Sequence, residues 1–313
     1  MLSQPVEFTG RCNEPRSASP VMIVDVHSHT PRHRVEPEAT SAELDSKWRP
    51  DQTVSTAHTW DAHVKAMEVV DRGIVFNIAS DPRGDVPDDG QLIYETPRVN
   101  DDTAAFVQAY PEKFIGFLTV HPHDPKALEE IERATQDLGL RGIKLGPNYQ
   151  NFDPLGPEAF AVFKRAEELK LPILFHQGTS PVRFADLDFA HPRHMDRVAT
   201  AFPELKVIMA HMGHPWQTDC YVVIRKHPNV YADISANFYR PWSYYNAMRI
   251  ATEWAVLDKL LFGSDFPIVS PQETMDALWR VNDPIEGTKL PPVPLDALER
   301  IVHLNSLELL GLE

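Results

Sequence analysis

The chain alternates short apolar runs with longer segments in which apolar and polar positions are mixed. Eight apolar runs predict buried strands, over residues 21–29, 72–80, 114–122, 141–147, 171–178, 205–213, 230–235 and 259–267. Most of these runs are apolar without alternation near their starts, which is typical of parallel strands that are covered on both faces. The pattern therefore predicts a parallel sheet of eight strands.

The segments between the strands have helical periodicity. Met195, Val198, Ala199 and Phe202 recur at i, i+3, i+4 and i+7, which places them on one face of a helix. Similar stripes predict helices within residues 100–111, 124–139, 155–170 and 295–311. Eight strands alternating with helices at this length favour an α/β fold, the (β/α)8 TIM barrel, over an open sheet.

The connection after the first strand is much longer than the others. Residues 31–71 are rich in charge and contain Trp48 and Trp60. A long connection inside a compact domain is usually functional, so we expect a long insertion after strand 1 that acts as a lid or binding loop. Residues 1–20 are polar and contain prolines, which predicts an N-terminal arm. We expect residues 21–313 to form one barrel domain.

Composition narrows the class of protein. The 313 residues are 42% hydrophobic and 24% charged, with a net charge of −15, and no basic block suggests a nucleic-acid partner. Neither a membrane span nor a secretory signal is expected, because no apolar run is long enough. Two cysteines, Cys12 and Cys220, are too few for a disulfide framework and fit a reducing compartment. We expect a cytoplasmic protein whose partner is a small-molecule substrate.

Candidate chemistry begins at the end of the first strand. His27 and His29 are two residues apart, so in a strand their side chains share a face, together with Asp25. The C-terminal ends of barrel strands are where such folds build active sites. An isolated pair of this kind is more often two solvent-exposed or hydrogen-bonded loop histidines, so its meaning depends on partners elsewhere.

Three further polar residues stand at the ends of later strands. His176 ends the fifth strand, His211 the sixth and Asp265 the eighth, each where an apolar run gives way to Gly or Pro. Five such groups converging from four strands indicate a divalent metal site, with imidazole and carboxylate ligands that suit zinc. An open coordination position would hold a water or a substrate oxygen.

This combination resembles the amidohydrolase superfamily, and most of all its amidohydrolase-2 branch with the aminocarboxymuconate-semialdehyde decarboxylase group. The resemblance runs from VDVHSHT through GIKLGPNYQNFDP, LPILFHQG and AHMGHPW to LLFGSDFP. It implies that His27, His29, His176 and Asp265 are the metal ligands, and that His211 is the catalytic or metal-proximal histidine. Because a carboxylate can also take a proton from bound water, we expect Asp265 and His211 to be the catalytic residues. We expect one divalent metal, for which the ligand types favour Zn²⁺ and leave Mn²⁺, Fe²⁺ or Co²⁺ as alternatives.

The role of Lys144 on the fourth strand is open. Some branches of the superfamily carry a carbamylated lysine there that bridges two metals, whereas a charged lysine could instead meet an anionic substrate or Asp265. We favour one metal and an electrostatic or structural lysine. The residues expected to contact substrate are Arg32, Arg34, Lys144, Asn148 and His214.

Two reactions fit the same ligands. We favour a hydrolase, in which a metal-activated water attacks a carbonyl or similar carbon. The alternative is non-oxidative decarboxylation of an aromatic or unsaturated carboxylic acid. A catalytically silent barrel that binds a metabolite or metal is a third hypothesis.

The aromatic segment at residues 237–246 could supply a homodimer interface or line the pocket.

Overall fold

Eight parallel strands form the centre of the part of the chain that the computed structural model describes, which is residues 22–35, 46–48, 53–55, 58–84, 98–180 and 184–313. In chain order the strands are β1 (Val24–His29), β2 (Ser46–Trp48), β3 (Thr53–Ser55), β4 (Arg72–Phe76), β5 (Phe114–Gly116), β6 (Leu118–Thr119), β7 (Ile143–Leu145), β8 (Ile173–Phe175), β9 (Val207–Met209), β10 (Val230–Asp233) and β11 (Leu260–Leu261). β5 and β6 are two halves of one barrel strand, so all eight predicted strands are confirmed.

The parallel strands follow one another around a closed cylinder. One sheet has the order β1–β4–β5, and the other has the order β6–β7–β8–β9–β10–β11. The Phe117 amide joins the sheets by donating to the Val75 carbonyl at 2.9 Å, and Val26 donates to the Phe262 carbonyl at 3.0 Å. These bonds close the sheet on itself, and the TIM-barrel prediction is confirmed.

Helices cover the outside of the barrel. They are α1 (Trp60–Ala66), α2 (Val99–Ala109), α3 (Ala127–Gln136), α4 (Pro157–Glu168), α5 (Arg193–Ala201), α6 (Gln217–Lys226), α7 (Pro241–Glu253), α8 (Pro271–Trp279), α9 (Leu295–Val302) and α10 (Ser306–Leu310). The predicted stripe on α5 buries Met195, Val198 and Ala199. Each apolar face packs on the strands, which is why the strands read as continuous apolar runs.

The helical pattern of residues 295–311 forms two helices separated by a short break. The first helix stops at Val302 and the second begins at Ser306. The side chain of Asn305 accepts a hydrogen bond from the Glu308 amide, so it caps α10 instead of continuing α9. An asparagine can satisfy the free amides of a helix start, and here that local bond decides the boundary.

The buried apolar side chains form two clusters. The larger cluster lies between strands and helices, and the smaller one contains inward-facing strand residues such as Ile74, Phe117 and Leu174. Leu307 and Leu310 of α10 join the smaller cluster. Because this cluster fills the barrel interior, the polar groups at the strand ends lie on a rigid base.

Several sequence predictions fall wholly or partly outside the described residues. The N-terminal arm at residues 1–20 lies outside them, and of the insertion the structure describes a β2–β3 antiparallel pair and α1. In the aromatic segment, Tyr244 and Tyr245 are buried and Trp242 is exposed, so the homodimer stays a prediction. Cys220 is buried as a free thiol. Among the described helices, none has the length and apolar character that crossing a bilayer requires.

Candidate metal centre

The candidate residues stand at one end of the barrel, on or just after the C-terminal ends of the strands. His27 and His29 belong to β1, Lys144 to β7 and Asp233 to β10, while His176 follows β8, His211 follows β9 and Asp265 follows β11. Parallel strands direct their C-terminal ends to the same rim of a barrel. Chain segments that are far apart in sequence therefore deliver their polar groups to one place.

The closest group contains two histidines and one aspartate. His27, His211 and Asp265 each offer a ligand atom, and these atoms all lie within 4.8 Å of one another. The Nε2 atoms of His27 and His29 are each 3.2 Å from Asp265 Oδ1. The structure thus brings His27, His29, His211 and Asp265 around one point.

His176 borders this group from the side of His211. The centroids of the two imidazole rings are 4.9 Å apart, and His176 Nε2 lies 3.1 Å from the Tyr149 hydroxyl. His176 is buried, as is Tyr149. The role of His176 as a ligand stays a prediction, and the geometry adds His211 as a residue whose ligand atom lies within 4.8 Å of those of His27 and Asp265.

Local backbone geometry turns two of these residues toward the cluster. Asp265 has φ of 71° and His211 has φ of 58°, both in the left-handed region that non-glycine residues seldom occupy. The Asp265 amide donates to the His27 carbonyl at 2.8 Å, and the His211 amide donates to Asp233 Oδ1 at 2.9 Å. Each uncommon conformation is therefore held by a hydrogen bond to a neighbouring strand.

Asp233 is a buried member of the site that the sequence analysis missed. Its Oδ2 accepts a hydrogen bond from His27 Nδ1 at 2.8 Å. Burial raises the pKa of this carboxyl, but the charge of His27 and hydrogen bonds from His27 and Ser235 outweigh burial, so the net shift is downward. The signal was available in VYADIS, where Asp233 ends an apolar run as Asp265 does.

Asp25 shares β1 with the histidines but uses its carboxylate differently. Oδ1 accepts from the amides of His27 and Ser264 at 2.9 Å and 3.0 Å, and Oδ2 accepts from the Ser264 hydroxyl at 2.6 Å. The pairing of β1 with β4 shifts register between Asp25 and Ser28. This irregularity interrupts the simple alternation from which we placed Asp25 on the face of the two histidines.

Lys144 lies at the centre of the site. It is 1% exposed, and its Nζ is 3.5 Å from His27 Nε2 and 4.4 Å from the centroid of the Phe76 ring. Burial lowers its pKa to about 7, although Asp233 and Asp265 act in the opposite direction. Both the ammonium form and the neutral amine are therefore accessible near neutral pH.

The electrostatics of the imidazoles suit metal binding. Burial lowers the pKa of His211 to about 4 and that of His176 well below its ordinary value. Burial also lowers the pKa of His29. For His27, burial and Lys144 act to lower the pKa, but Asp233 and Asp265 outweigh them and raise it. The lowered pKa values keep His29, His176 and His211 in the neutral form that coordinates a cation, and a cation would displace the extra proton of His27, so this donor set fits a divalent metal.

The residues expected to contact substrate lie in different surroundings. Arg32 and Arg34 are exposed, and the Arg34 guanidinium lies 4.3 Å from the centroid of the Trp60 ring. Asn148 is buried, and neither atom of its amide group has a hydrogen-bond partner among the described residues. His214 Nδ1 is 2.7 Å from Gln217 Nε2, and burial together with Arg240 lowers its pKa to about 4.

The sequence is similar to a known protein family and to proteins of known name. A family model described as amidohydrolase (Amidohydro_2) matches residues 24–312. A dihydroorotase of Helicobacter pylori (strain G27) is 30% identical over 129 residues, which are 39% of this chain and 37% of the relative. A 2-amino-3-carboxymuconate-6-semialdehyde decarboxylase of Dictyostelium discoideum is 26% identical over 136 residues, which are 43% and 35% of the two chains. The alignments thus span little more than a third of either relative.

Solved structures share the fold over nearly the whole chain. An uncharacterized TIM-barrel protein of Bordetella bronchiseptica has a TM-score of 0.69 at 21% identity, covering 93% of this chain and 98% of that one. A dihydroxybenzoic acid decarboxylase of Polaromonas sp. JS666, solved with manganese and 2-nitroresorcinol, has a TM-score of 0.62 at 17% identity, covering 93% and 97%. A probable 2-pyrone-4,6-dicarboxylic acid hydrolase of Acinetobacter baumannii has a TM-score of 0.59 at 16% identity, covering 92% and 99%.

Proposed function

Since the chain belongs to the Amidohydro_2 family of amidohydrolases, we propose that it is a metal-dependent decarboxylase of a small aromatic or unsaturated carboxylic acid. The observation that carries the proposal is the close group of His27, His211 and Asp265 beside the buried Lys144. Such a group offers a site for a divalent cation and a proton donor within one pocket.

The cation would be held by His27, His29, His176 and Asp265, with His211 beside them. A bound divalent cation supplies Lewis acidity, which orients and polarises substrate oxygens. Imidazole and carboxylate ligands favour zinc, and the manganese in the related dihydroxybenzoic acid decarboxylase supports Mn²⁺ as the alternative.

The proposed substrate class follows from charge. With a divalent cation bound and Lys144 protonated, the positive charges at the barrel mouth would attract a carboxylate. The named relatives agree with this choice, because dihydroxybenzoic acid and 2-pyrone-4,6-dicarboxylic acid are both small unsaturated acids. The buried side-chain amide of Asn148, which has no hydrogen-bond partner in the described part of the chain, could supply a hydrogen bond to such a substrate.

The reaction requires one proton and releases carbon dioxide. The bond between the substrate carbon and its carboxylate breaks, the electron pair stays on that carbon, and CO₂ leaves. His211 or Asp265 first takes up a proton from solvent, at the lone pair of Nε2 or at the carboxylate, and then delivers that proton to the same carbon. The partly exposed position of His211 gives it a route to solvent for that uptake.

Hydrolysis is the second candidate, and it is the one that the sequence favoured. It is supported by the similarity to dihydroorotase, at 30% identity. In this reaction Asp265 or His211 would accept a proton from the attacking water and return it to the leaving group. The two reactions use the same residues and differ in the bond that breaks.

The test is a parallel assay of metal-loaded protein. One panel contains dihydroxybenzoates and other aromatic acids, and the second contains cyclic amides and lactones such as dihydroorotate. We expect CO₂ release from an aromatic acid, its loss in His211→Ala, and its retention in His303→Ala, which changes an exposed histidine. Hydrolysis of the second panel without CO₂ release from the first would overturn the proposed decarboxylation.

A further inference from the structure

Two residues outside the expected ligand set make defined hydrogen bonds to the imidazoles of the metal centre. We propose that Asp233 and Ser235 are positioning residues that keep the ring protons of His27 and His211 on Nδ1. With a cation bound beside Asp265, each ring then presents an Nε2 without a proton for binding or proton transfer. The inference rests on the proposed metal-dependent function, because that function requires Nε2 of His27 as a ligand atom.

The first part of the argument concerns His27. Its Nδ1 is 2.8 Å from Asp233 Oδ2, and both side chains are almost completely buried. A carboxylate can only accept a hydrogen bond, so His27 Nδ1 must carry the proton. The other ring nitrogen, Nε2, faces Asp265 Oδ1 at 3.2 Å and Lys144 Nζ at 3.5 Å. That nitrogen is the one directed at the candidate metal position.

The second part of the argument concerns His211. The Ser235 hydroxyl contacts Asp233 Oδ1 closely and, since a carboxylate accepts, its single proton is donated there. His211 Nδ1 is 2.8 Å from the Ser235 hydroxyl oxygen and 3.3 Å from the Ser235 carbonyl oxygen. Both atoms can then act only as acceptors, so His211 Nδ1 carries the proton and Nε2 has a free lone pair.

The backbone holds Asp233 in one orientation. Its Oδ1 accepts from the amides of His211 and Ser235 at 2.9 Å and 3.1 Å. In Asp233→Asn, the amide oxygen must therefore stay at the Oδ1 position, and the NH₂ group replaces Oδ2. That group donates, so His27 Nδ1 must become an acceptor and its proton must move to Nε2. The substitution thereby blocks the nitrogen that would bind the cation.

The experiment reads the protonated ring nitrogen directly. Long-range ¹H–¹⁵N correlation spectra of ¹⁵N-histidine-labelled, zinc-loaded protein show which nitrogen carries the proton, with His27→Gln and His211→Gln used for assignment. We expect Nδ1–H for both residues in the wild type. In Asp233→Asn we expect Nε2–H at His27 and a zinc affinity about 10- to 100-fold lower, measured by competition with a chelator.

Asp25→Asn is the matched control. Asp25 is equally buried on the same side of the barrel, but its carboxylate binds backbone amides and the Ser264 hydroxyl. We expect this variant to keep Nδ1–H at His27 and the zinc affinity of the wild type. An Nε2–H signal for His27 or His211 in the wild type overturns the proposal, even where Asp233→Asn fails to fold.

The outcomes separate this inference from the proposed reaction. The spectra need no substrate, so Nδ1–H at both histidines supports the positioning role even if no acid is decarboxylated. Decarboxylation together with Nε2–H at either histidine would keep the reaction and reject the role of Asp233 and Ser235. Equal zinc affinity in Asp233→Asn and the wild type would also reject it.

Discussion

At the scale of single residues, the site is defined by what each polar group touches. Asp233 and Asp25 are both fully buried carboxylates on strands of the barrel and both accept from backbone amides, but only Asp233 of these two also binds an imidazole. Their pKa values shift in opposite directions as a result. Residue type and position along a strand predict where a group lies, whereas its partners decide its charge.

Asp25 gives a prediction for the pH dependence of stability. Burial raises its pKa from 3.8 to about 6, so the folded state carries an unfavourable charge above pH 6. Ionisation of Asp25 in the folded state lowers the free energy of unfolding. This loss is complete above pH 6 and is absent below pH 3.8, where the carboxyl is protonated in both the folded and the unfolded state. In metal-free protein, the free energy of unfolding of Asp25→Asn minus that of the wild type should therefore rise by about 3 kcal/mol between acid and neutral pH.

Urea unfolding of both proteins at several pH values measures this difference. The advantage of Asp25→Asn should narrow as the pH falls from 6 toward 3.8. The titration of every other group is common to the two proteins, so the difference isolates residue 25. A difference that does not change with pH would show that the buried carboxyl has an ordinary pKa.

At the scale of elements, the strands were predictable and the loops were not. A continuous apolar run is a local property, and all eight barrel strands followed from it. The break between α9 and α10 depended on one hydrogen bond that the Asn305 side chain accepts from the Glu308 amide, and periodicity gives no information about such a bond. The sequence predicted that His27, His29, His211 and Asp265 lie together, because each stands at the end of a strand. Asp233 was missed although it also ends a strand.

The loops after β8 and β9 are packed at Gly178. This residue has φ of +90°, and a Cβ atom there would meet the carbonyl oxygen of His214. Gly287 has φ of +72°, but a Cβ atom would meet nothing within 4 Å. Gly287→Ala should cost about 1–2 kcal/mol of unfolding free energy from backbone strain alone.

Gly178→Ala should cost more than Gly287→Ala, at about 3 kcal/mol or above, because a clash with backbone adds to the strain. Chemical denaturation of the two variants beside the wild type measures the difference. Equal losses of unfolding free energy in the two variants would mean that the loop after β9 moves away from Gly178 at no cost, and that His214 is not held against the loop after β8.

At the scale of the whole molecule, the closed barrel makes a binding site from distant parts of the chain. Residues 27 and 265 are 238 positions apart in the chain, yet their side chains meet because β11 closes against β1. A cation at this point would link β1 to β11 and to the segments after β8 and β9. Metal binding should consequently raise the unfolding free energy of the whole barrel.

Chelation tests this coupling. A ligand present at about 1,000 times its Kd stabilises the native state by about 4 kcal/mol, so removing the metal should lower Tm by several degrees. Restoring zinc or manganese should restore Tm in the wild type. The same additions should leave Tm unchanged in His27→Ala. A wild-type Tm that changes with neither chelator nor added metal would indicate that no cation links these strands.

The metal content of protein purified without added metal tests the central claim most directly. Elemental analysis should find close to one divalent cation per chain in the wild type and almost none in His27→Ala or Asp265→Ala. His303→Ala, which changes an exposed histidine, should retain the wild-type content. A wild-type protein without bound metal, or one that keeps its metal after loss of His27 and of Asp265, would contradict the account. Two cations per chain would contradict the single-metal site and make Lys144 a bridging ligand.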